Sequence, residues 1–510
     1  MRRARFAMGT AFAACSLLIG LLVAVIFGCA PATERHEPRL VLVYATCSLN
    51  RELLSPYRST ADNHAVADTP SIQRFADRAI VFQRHQTESG QSGTSFASLF
   101  TGYQAPVHKI YSHPQRIPRD IETIGLYFQR AGYTAYSWLE HLMAGSPLGY
   151  ARGVPVTNQQ QTKLTANDPD FLALLDRLAA HPEERAFVVT NFTVTHGPYR
   201  GIELKRYCER HPEACEPLAS EGATQLRRFY EREHINLSWN YEATVAKGRL
   251  SGEERDRLDE IVSILYAVGV ERLDRLFGEV ISAIEERGLT QETIVVFTAD
   301  HGEVGIRPGL PFRWTHGMQL APDVLNVPAM IFAPGQGIEP RVYESVTRSI
   351  DVLPTLLSLA GIPSTDLPGV NLAAAIRNEE PAPALTAFSH TALLPAVFYQ
   401  NIDRYPLLQD LYPEWKADYM RVGLRRGDEF FELSPRRQGE GLEPALYDIA
   451  LDKGKERNLY DPADPRHQSA LRDLALYRAR LIDAYGPVIR DLRLPAKEEE
   501  SRLRALGYIE

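Results

Sequence analysis

Cysteine is scarce in this chain, with five in 510 residues, and that excludes a disulfide-built scaffold. An excess of positive charge is also missing. The 56 Lys and Arg are outnumbered by 64 Asp and Glu, for a net charge of −8. Electrostatics alone therefore does not make it a binder of nucleic acid. Neither an internal repeat nor a long low-complexity tract is found. Hydrophobic residues make up 44% and charged residues 24%, which excludes disorder, collagen and coiled coil as the main state. At roughly 100–200 residues per domain, the length fits a few domains, or one large α/β domain with an appendage.

Charge is absent altogether between Arg5 and Glu34. The run 6–30, rich in Leu, Val, Ile and Ala, follows Arg2, Arg3 and Arg5 and is long enough to span a bilayer. It reads as a signal segment, a membrane anchor or a lipoprotein leader. Ile26, Phe27, Gly28 and Cys29 resemble a lipidation site, although Phe27 is atypical there. Each reading puts the bulk of the chain on the periplasmic or extracellular side, tethered to the membrane. Cys208 and Cys215 are close enough to close a small disulfide loop in such an oxidising compartment. Cys47 is left without a partner.

After a polar linker at 31–38, continuous apolar runs at Leu40–Thr46, Thr134–Leu139, 186–193, 293–298 and 327–332 suit strands buried on both faces. Helical patterns at 121–131, 168–180, 258–287 and 349–360 lie between them. Strands alternating with helices predict a doubly wound, mainly parallel α/β sheet over 39–375. The segment 203–244 reads as an insertion in it. Beyond about residue 376 the pattern changes. Short strands at 419–424 and 430–433, followed by the segment 446–449 and a helical stretch at 470–484, predict a smaller C-terminal α+β domain over 376–510.

Ligands of open parallel sheets bind beyond the carboxyl ends of the strands. Cys47 and Ser48, His141, His196, and then Asp300, His301 and Glu303 all follow such runs, and His316 precedes the last. One histidine alone is most often structural, but the shared placement points to a metal-centred or catalytic site. A loop of small residues from Gly90 to Ser95 opens a helical stretch and offers Ser92 and Thr94 as hydroxyl nucleophiles.

Together these motifs resemble the sulfatase branch of the alkaline phosphatase superfamily, in the family's order from about residue 40 to 460. Thr69–Ala76 is similar to "TPxxDRLA". The segment 92–102 is similar to the nucleophile stretch ending "SLxTG", and Ala131–Ala135 to "AGYxTA". Thr195–Tyr199 matches "xPHxPY", Thr298–Glu303 matches "TSDHGE", and His316-Gly317 matches "HGxxLY". The resemblance implies an alkaline phosphatase-like fold. It also implies attack by a metal-assisted nucleophile on sulfur or phosphorus, through a covalent adduct.

Transferred residue by residue, it implies Asp300 and His301 as metal ligands. Cys47 stands where the family places carboxylates and is the candidate third ligand. These donors suit a divalent Zn or Mn better than Ca. His196, His141 and His316 are implied as donors to the non-bridging oxygens or the leaving group. The family's formylglycine motif, C/S-x-P-x-R, is broken: Ser92 keeps the first position, but Thr94 replaces Pro and Phe96 replaces Arg. An unmodified Ser92 nucleophile and phosphoester chemistry are therefore expected, with sulfate esters second. A second register, resembling "TGQGKT", would make Thr94 the nucleophile. Leu139 stands where the family has a lysine. Expected substrates are small-molecule, lipid-headgroup or glycan esters, by hydrolysis or transfer. The alternative is a binding protein of the same fold with a decayed site.

Overall fold

The structure, a computed structural model, describes residues 35–58, 66–111, 115–141, 144–158, 168–233, 250–305, 313–364, 366–391, 420–436 and 441–485. The apolar segment 6–30, Tyr419 and residues 234–244 of the expected insertion lie outside these residues. No helix among the described residues is long and apolar enough to cross a membrane.

Among the described residues, twelve strands form two sheets. The larger contains β1 (Leu40–Thr46), β2 (Ile80–Gln86), β3 (Thr134–Leu139), β4 (Val156–Asn158), β5 (Ala186–Asn191), β6 (Thr293–Ala299), β7 (Ala329–Phe332) and β8 (Arg341–Arg348). Their order across the sheet is β4-β3-β5-β1-β6-β7-β2-β8. Every pairing is parallel except those of β7, which runs antiparallel to both β6 and β2. The expected mainly parallel α/β sheet is thus present, with one reversed strand.

β1 shows why the continuous apolar run worked as a signal. All seven of its residues are buried. Leu40, Leu42 and Tyr44 enter one core, and Val41, Val43 and Ala45 enter another on the opposite face. Helices α1 (Pro70–Ala76), α4 (Pro169–Ala180) and α6 (Gly252–Glu286) supply the first core. Helices α2 (Ser92–Thr101), α3 (Ile124–Arg130) and α7 (Ser349–Leu359) supply the second. α6 begins on a capping box in which Ser251 and Glu254 exchange hydrogen bonds. α5 (Leu204–Arg210) falls in the segment expected to be an insertion, and its Cys208 is disulfide-bonded to Cys215.

The second sheet is antiparallel, in the order β12-β11-β10-β9. It comprises β9 (Ala387–His390), β10 (Val422–Arg426), β11 (Glu429–Pro435) and β12 (Leu442–Asp448). α8 (Pro465–Tyr485) covers it through Ala470, Leu474, Tyr477 and Leu481. Gln86 Nε2 donates to Ser389 Oγ at 2.7 Å, which joins this sheet to the first.

Candidate active site and metal centre

The cluster forms where β1 and β6, neighbours in the sheet, both end. Thr46 O accepts from Asp300 N at 3.1 Å, and Leu49 N donates to His301 O at 3.0 Å, so the two loops leave the sheet together. Ser48 adopts a left-handed backbone, φ 57°. A non-glycine residue there costs about 1–3 kcal/mol, and the turn aims Ser48 N at Asp300 Oδ1, 3.2 Å away. Gly302 lets the same loop press against the backbone opposite. A Cβ there would meet Asp323 O at 1.9 Å.

Ser92 is the first residue of α2, and its Oγ lies 3.0 Å from His301 Nε2 and 3.3 Å from Cys47 Sγ. Tyr150 holds this helix start by donating to Gly93 O at 2.7 Å. Thr94 is two residues further round the helix, and its hydroxyl donates to Ile110 O at 3.0 Å, outside the cluster.

Asp300 Oδ1 accepts from the amides of Ser48 and His301, the latter at 2.6 Å. Its other oxygen, Oδ2, is buried without a hydrogen-bond partner, 3.4 Å from His301 Nε2. An orphaned buried acceptor costs about 1–3 kcal/mol. His301 Nδ1 lies 2.8 Å from Gly302 O. A carbonyl only accepts, so Nδ1 carries the proton and Nε2 turns its lone pair to the cluster. Cys47 Sγ is 3.9 Å from that nitrogen. Donor atoms of Cys47, Asp300 and His301 all lie within 4.8 Å of one another. A thiol, a carboxylate, an imidazole and an adjacent hydroxyl fit a divalent cation of the zinc type. The partnerless Oδ2 is the atom such a cation would satisfy.

The remaining histidines converge on the same place. His141 is buried beyond β3, its amide bound to Asn191 Oδ1 at 3.0 Å. The ring centroids of His141 and His196 are 5.7 Å apart, those of His196 and His316 5.3 Å, and those of His301 and His316 4.2 Å. The structure therefore brings together Cys47, Ser92, His141, His196, Asp300, His301 and His316. Leu139, in the family's lysine position, is a buried apolar end of β3.

Burial dominates the electrostatics. It pushes the Cys47 thiol well up, with the Asp300 charge adding to the effect. It raises Asp300 against the opposing charge of His301, and lowers His301 to about 3 and His316 to about 4. It also raises Glu303 to about 8, against the hydrogen bond from Tyr199.

Three further neighbours complete the site. Glu303, in the same sequence cluster as Asp300 and His301, is fully enclosed, accepts from Tyr199 Oη at 2.8 Å, and lies 3.3 Å from His316 Nδ1. Tyr266, on the buried face of α6, donates to Ser48 O at 2.6 Å and accepts from Asn50 N at 2.8 Å. Tyr199 was visible as the last residue of the motif 195–199. Nothing local marks Tyr266, which occupies an ordinary core position of a long helix.

Comparison with known proteins agrees with this architecture. The sequence profile of the Sulfatase family matches residues 57–362. Arylsulfatase K of Danio rerio is 29% identical over 515 residues, covering 90% of this chain and 91% of that protein. A protein solved with its substrate, D-glucosamine-2-N,6-O-disulfate, superimposes with a TM-score of 0.62 at 16% identity. It covers 88% of this chain and 99% of its own. The phosphonate monoester hydrolase of Agrobacterium radiobacter gives a TM-score of 0.57 at 18% identity, over 87% and 96% of the two chains. At such identities the solved structures speak for the fold. The family match spans more than half of the chain, and the protein belongs to the sulfatase family of hydrolytic enzymes, within the alkaline phosphatase-like superfamily.

Proposed function

We propose that this protein cleaves or transfers phosphoesters through an unmodified Ser92, with sulfate esters as the less favoured class. The observation that carries the reading is the position of Ser92 Oγ, between His301 Nε2 at 3.0 Å and Cys47 Sγ at 3.3 Å, beside the partnerless Asp300 Oδ2. Asp300, His301 and Cys47 would hold a divalent cation. Bound there, it would lower the pKa of the neighbouring hydroxyl and offset the charge of an anionic transition state.

Deprotonated Ser92 attacks phosphorus as the bond to the leaving oxygen breaks. Glu303, pushed up to about 8 by burial and so held protonated, passes its proton to His316 Nδ1 at 3.3 Å, and His316 gives the proton of its other ring nitrogen to that oxygen. Water, or an acceptor hydroxyl in a transferase, then breaks the Ser92 ester.

Thr94 and Phe96 support the preference for phosphorus, because they break the motif that formylglycine formation needs. The compared proteins bear on the substrate class: one is named an arylsulfatase, one holds a disulfated glucosamine, and one is a phosphonate monoester hydrolase. All three substrates are ester-type anions, and glycan, lipid-headgroup and small-molecule esters fall within that class. The arginine-led segment 6–30 supports membrane tethering outside the cytoplasm.

Turnover of aryl phosphodiester, phosphonate and sulfate substrates by wild type and Ser92→Ala tests the proposal. Loss of phosphoester turnover with folding and metal content retained supports it. The competing reading, a binding protein with a decayed site, requires that neither protein turns over any of them.

A further inference from the structure

The sulfur of Cys47 belongs to two sets of donors. One is the set with Asp300 and His301. The other joins Cys47 to His141 and His196, whose donor atoms also lie within 4.8 Å of one another. The two sets share the sulfur and no other donor atom. His196 is prepared in the same way as His301. Its Nδ1 lies 2.6 Å from Gly197 O, so that nitrogen carries the proton and Nε2 is left with its lone pair.

We infer that Cys47 bridges two divalent cations, the second of them seated between His141 and His196. This rests on the reading of Asp300, His301 and Cys47 as the first cation site. A tetrahedral zinc-type ion with bonds of about 2.0–2.3 Å spaces its ligands by roughly 3.3–3.8 Å. The separations of 3.4 Å between Asp300 Oδ2 and His301 Nε2, and 3.9 Å between Cys47 Sγ and that nitrogen, already approach this. The second set needs to close by at most about an ångström.

Seating the cations removes one proton, from the Cys47 thiol, which goes to solvent. Two dications against one thiolate and one carboxylate leave two positive charges uncompensated. That excess matches a phosphoester anion and its transition state, and it stands where Leu139 supplies no charge. A pair of cations can stabilise both the attacking and the leaving oxygen of an in-line displacement.

The test is metal stoichiometry. Full-length protein is saturated with zinc, freed of loose metal by exhaustive dialysis, and measured by plasma mass spectrometry. Two zinc ions per chain are expected in wild type, and one in His141→Ala/His196→Ala with native circular dichroism. One ion per chain in wild type overturns the second site while leaving the first intact, and none overturns both. Two ions in the double variant would place the second cation elsewhere and also overturn the inference. Should the double variant not fold, wild type loaded with cobalt(II) decides. Two cobalt ions sharing a thiolate give a sulfur-to-cobalt charge-transfer band and a spin signal well below that of two isolated ions. Full signal from independent ions overturns the bridge.

Discussion

The hydroxyl of Ser92 lies 3.0 Å from Nε2 of His301, although 208 residues separate them in the chain. One opens helix α2 and the other lies two residues beyond the end of strand β6. Their meeting gives the cluster its chemistry, because His301 Nδ1 is committed to Gly302 O and leaves Nε2 nothing to offer but a lone pair.

Ser92→Ala is expected to lower kcat by at least about 1,000-fold, the scale seen when a nucleophile is removed. Zinc content should stay the same. Thr94→Ala removes only the buried bond to Ile110 O, which is worth about 0.5–1.5 kcal/mol. It should lower the melting temperature slightly and leave kcat within a few-fold. Steady-state kinetics on both variants separates the two hydroxyls, and the reverse pattern would move the nucleophile to Thr94.

Asp300→Asn keeps an oxygen for the Ser48 and His301 amides and puts a non-ligating NH2 where Oδ2 stands. Zinc affinity, read by competition with a chelating dye, should fall at least about 100-fold, since even outer partners of a metal site are worth 10–100-fold. The fold should survive. Unchanged affinity would place the cation elsewhere.

In the larger sheet the apolar runs of the sequence mark β1, β3, β5, β6 and β7 and leave β2, β4 and β8 unmarked. β1 is a seven-residue apolar run and was read to the residue. β2 and β8 were passed over because Arg84 in one and Arg341, Glu344 and Arg348 in the other interrupt any apolar run, as suits the margin of a sheet. The reversed direction of β7 was not legible either, since an apolar run carries no direction. Within the site, the ends of β1 and β6 brought Cys47, Asp300 and His301 into view. The choice between Ser92 and Thr94 stayed open in the sequence. Two residues along a helix are about 200° apart, and only the packing of α2 says which one faces the cluster. The Glu303–His316 contact needs a tertiary fold to exist at all.

Glu88 gives a pH dependence away from the metal centre. It accepts from Ser98 Oγ at 2.5 Å, Ala105 N at 3.0 Å and Tyr477 Oη at 2.7 Å, so it ties the nucleophile helix to α8. Burial opposes its ionisation. His108, 3.8 Å away, with His390 and the Ser98 hydroxyl, outweighs it and holds Glu88 below its ordinary 4.5. A depressed carboxyl contributes stability above its unfolded value, which is lost as pH falls through the folded one. Glu88→Gln should cost roughly 1–3 kcal/mol at pH 7. In urea titrations the gap to wild type should narrow below about pH 4.5, and a gap that widens on acidification would contradict this account.

The Cys208–Cys215 bond closes a loop of sequence separation 7. A loop that short is worth about 2–3 kcal/mol by chain entropy. Cys208→Ala/Cys215→Ala should lower the melting temperature by a few degrees with kcat little changed. Loss of turnover in this variant would show that the insertion serves the site directly.

The central claim is that an unmodified Ser92 forms an ester with phosphorus, and mass spectrometry of the peptide containing residue 92 tests it most directly. The peptide is taken from protein quenched in acid during turnover of an aryl phosphodiester. The account expects serine at its encoded mass before substrate is added, and a phosphorylated fraction on Ser92 during turnover. Formylglycine at position 92, or turnover of sulfate esters alone with no phosphorylated peptide, would contradict it.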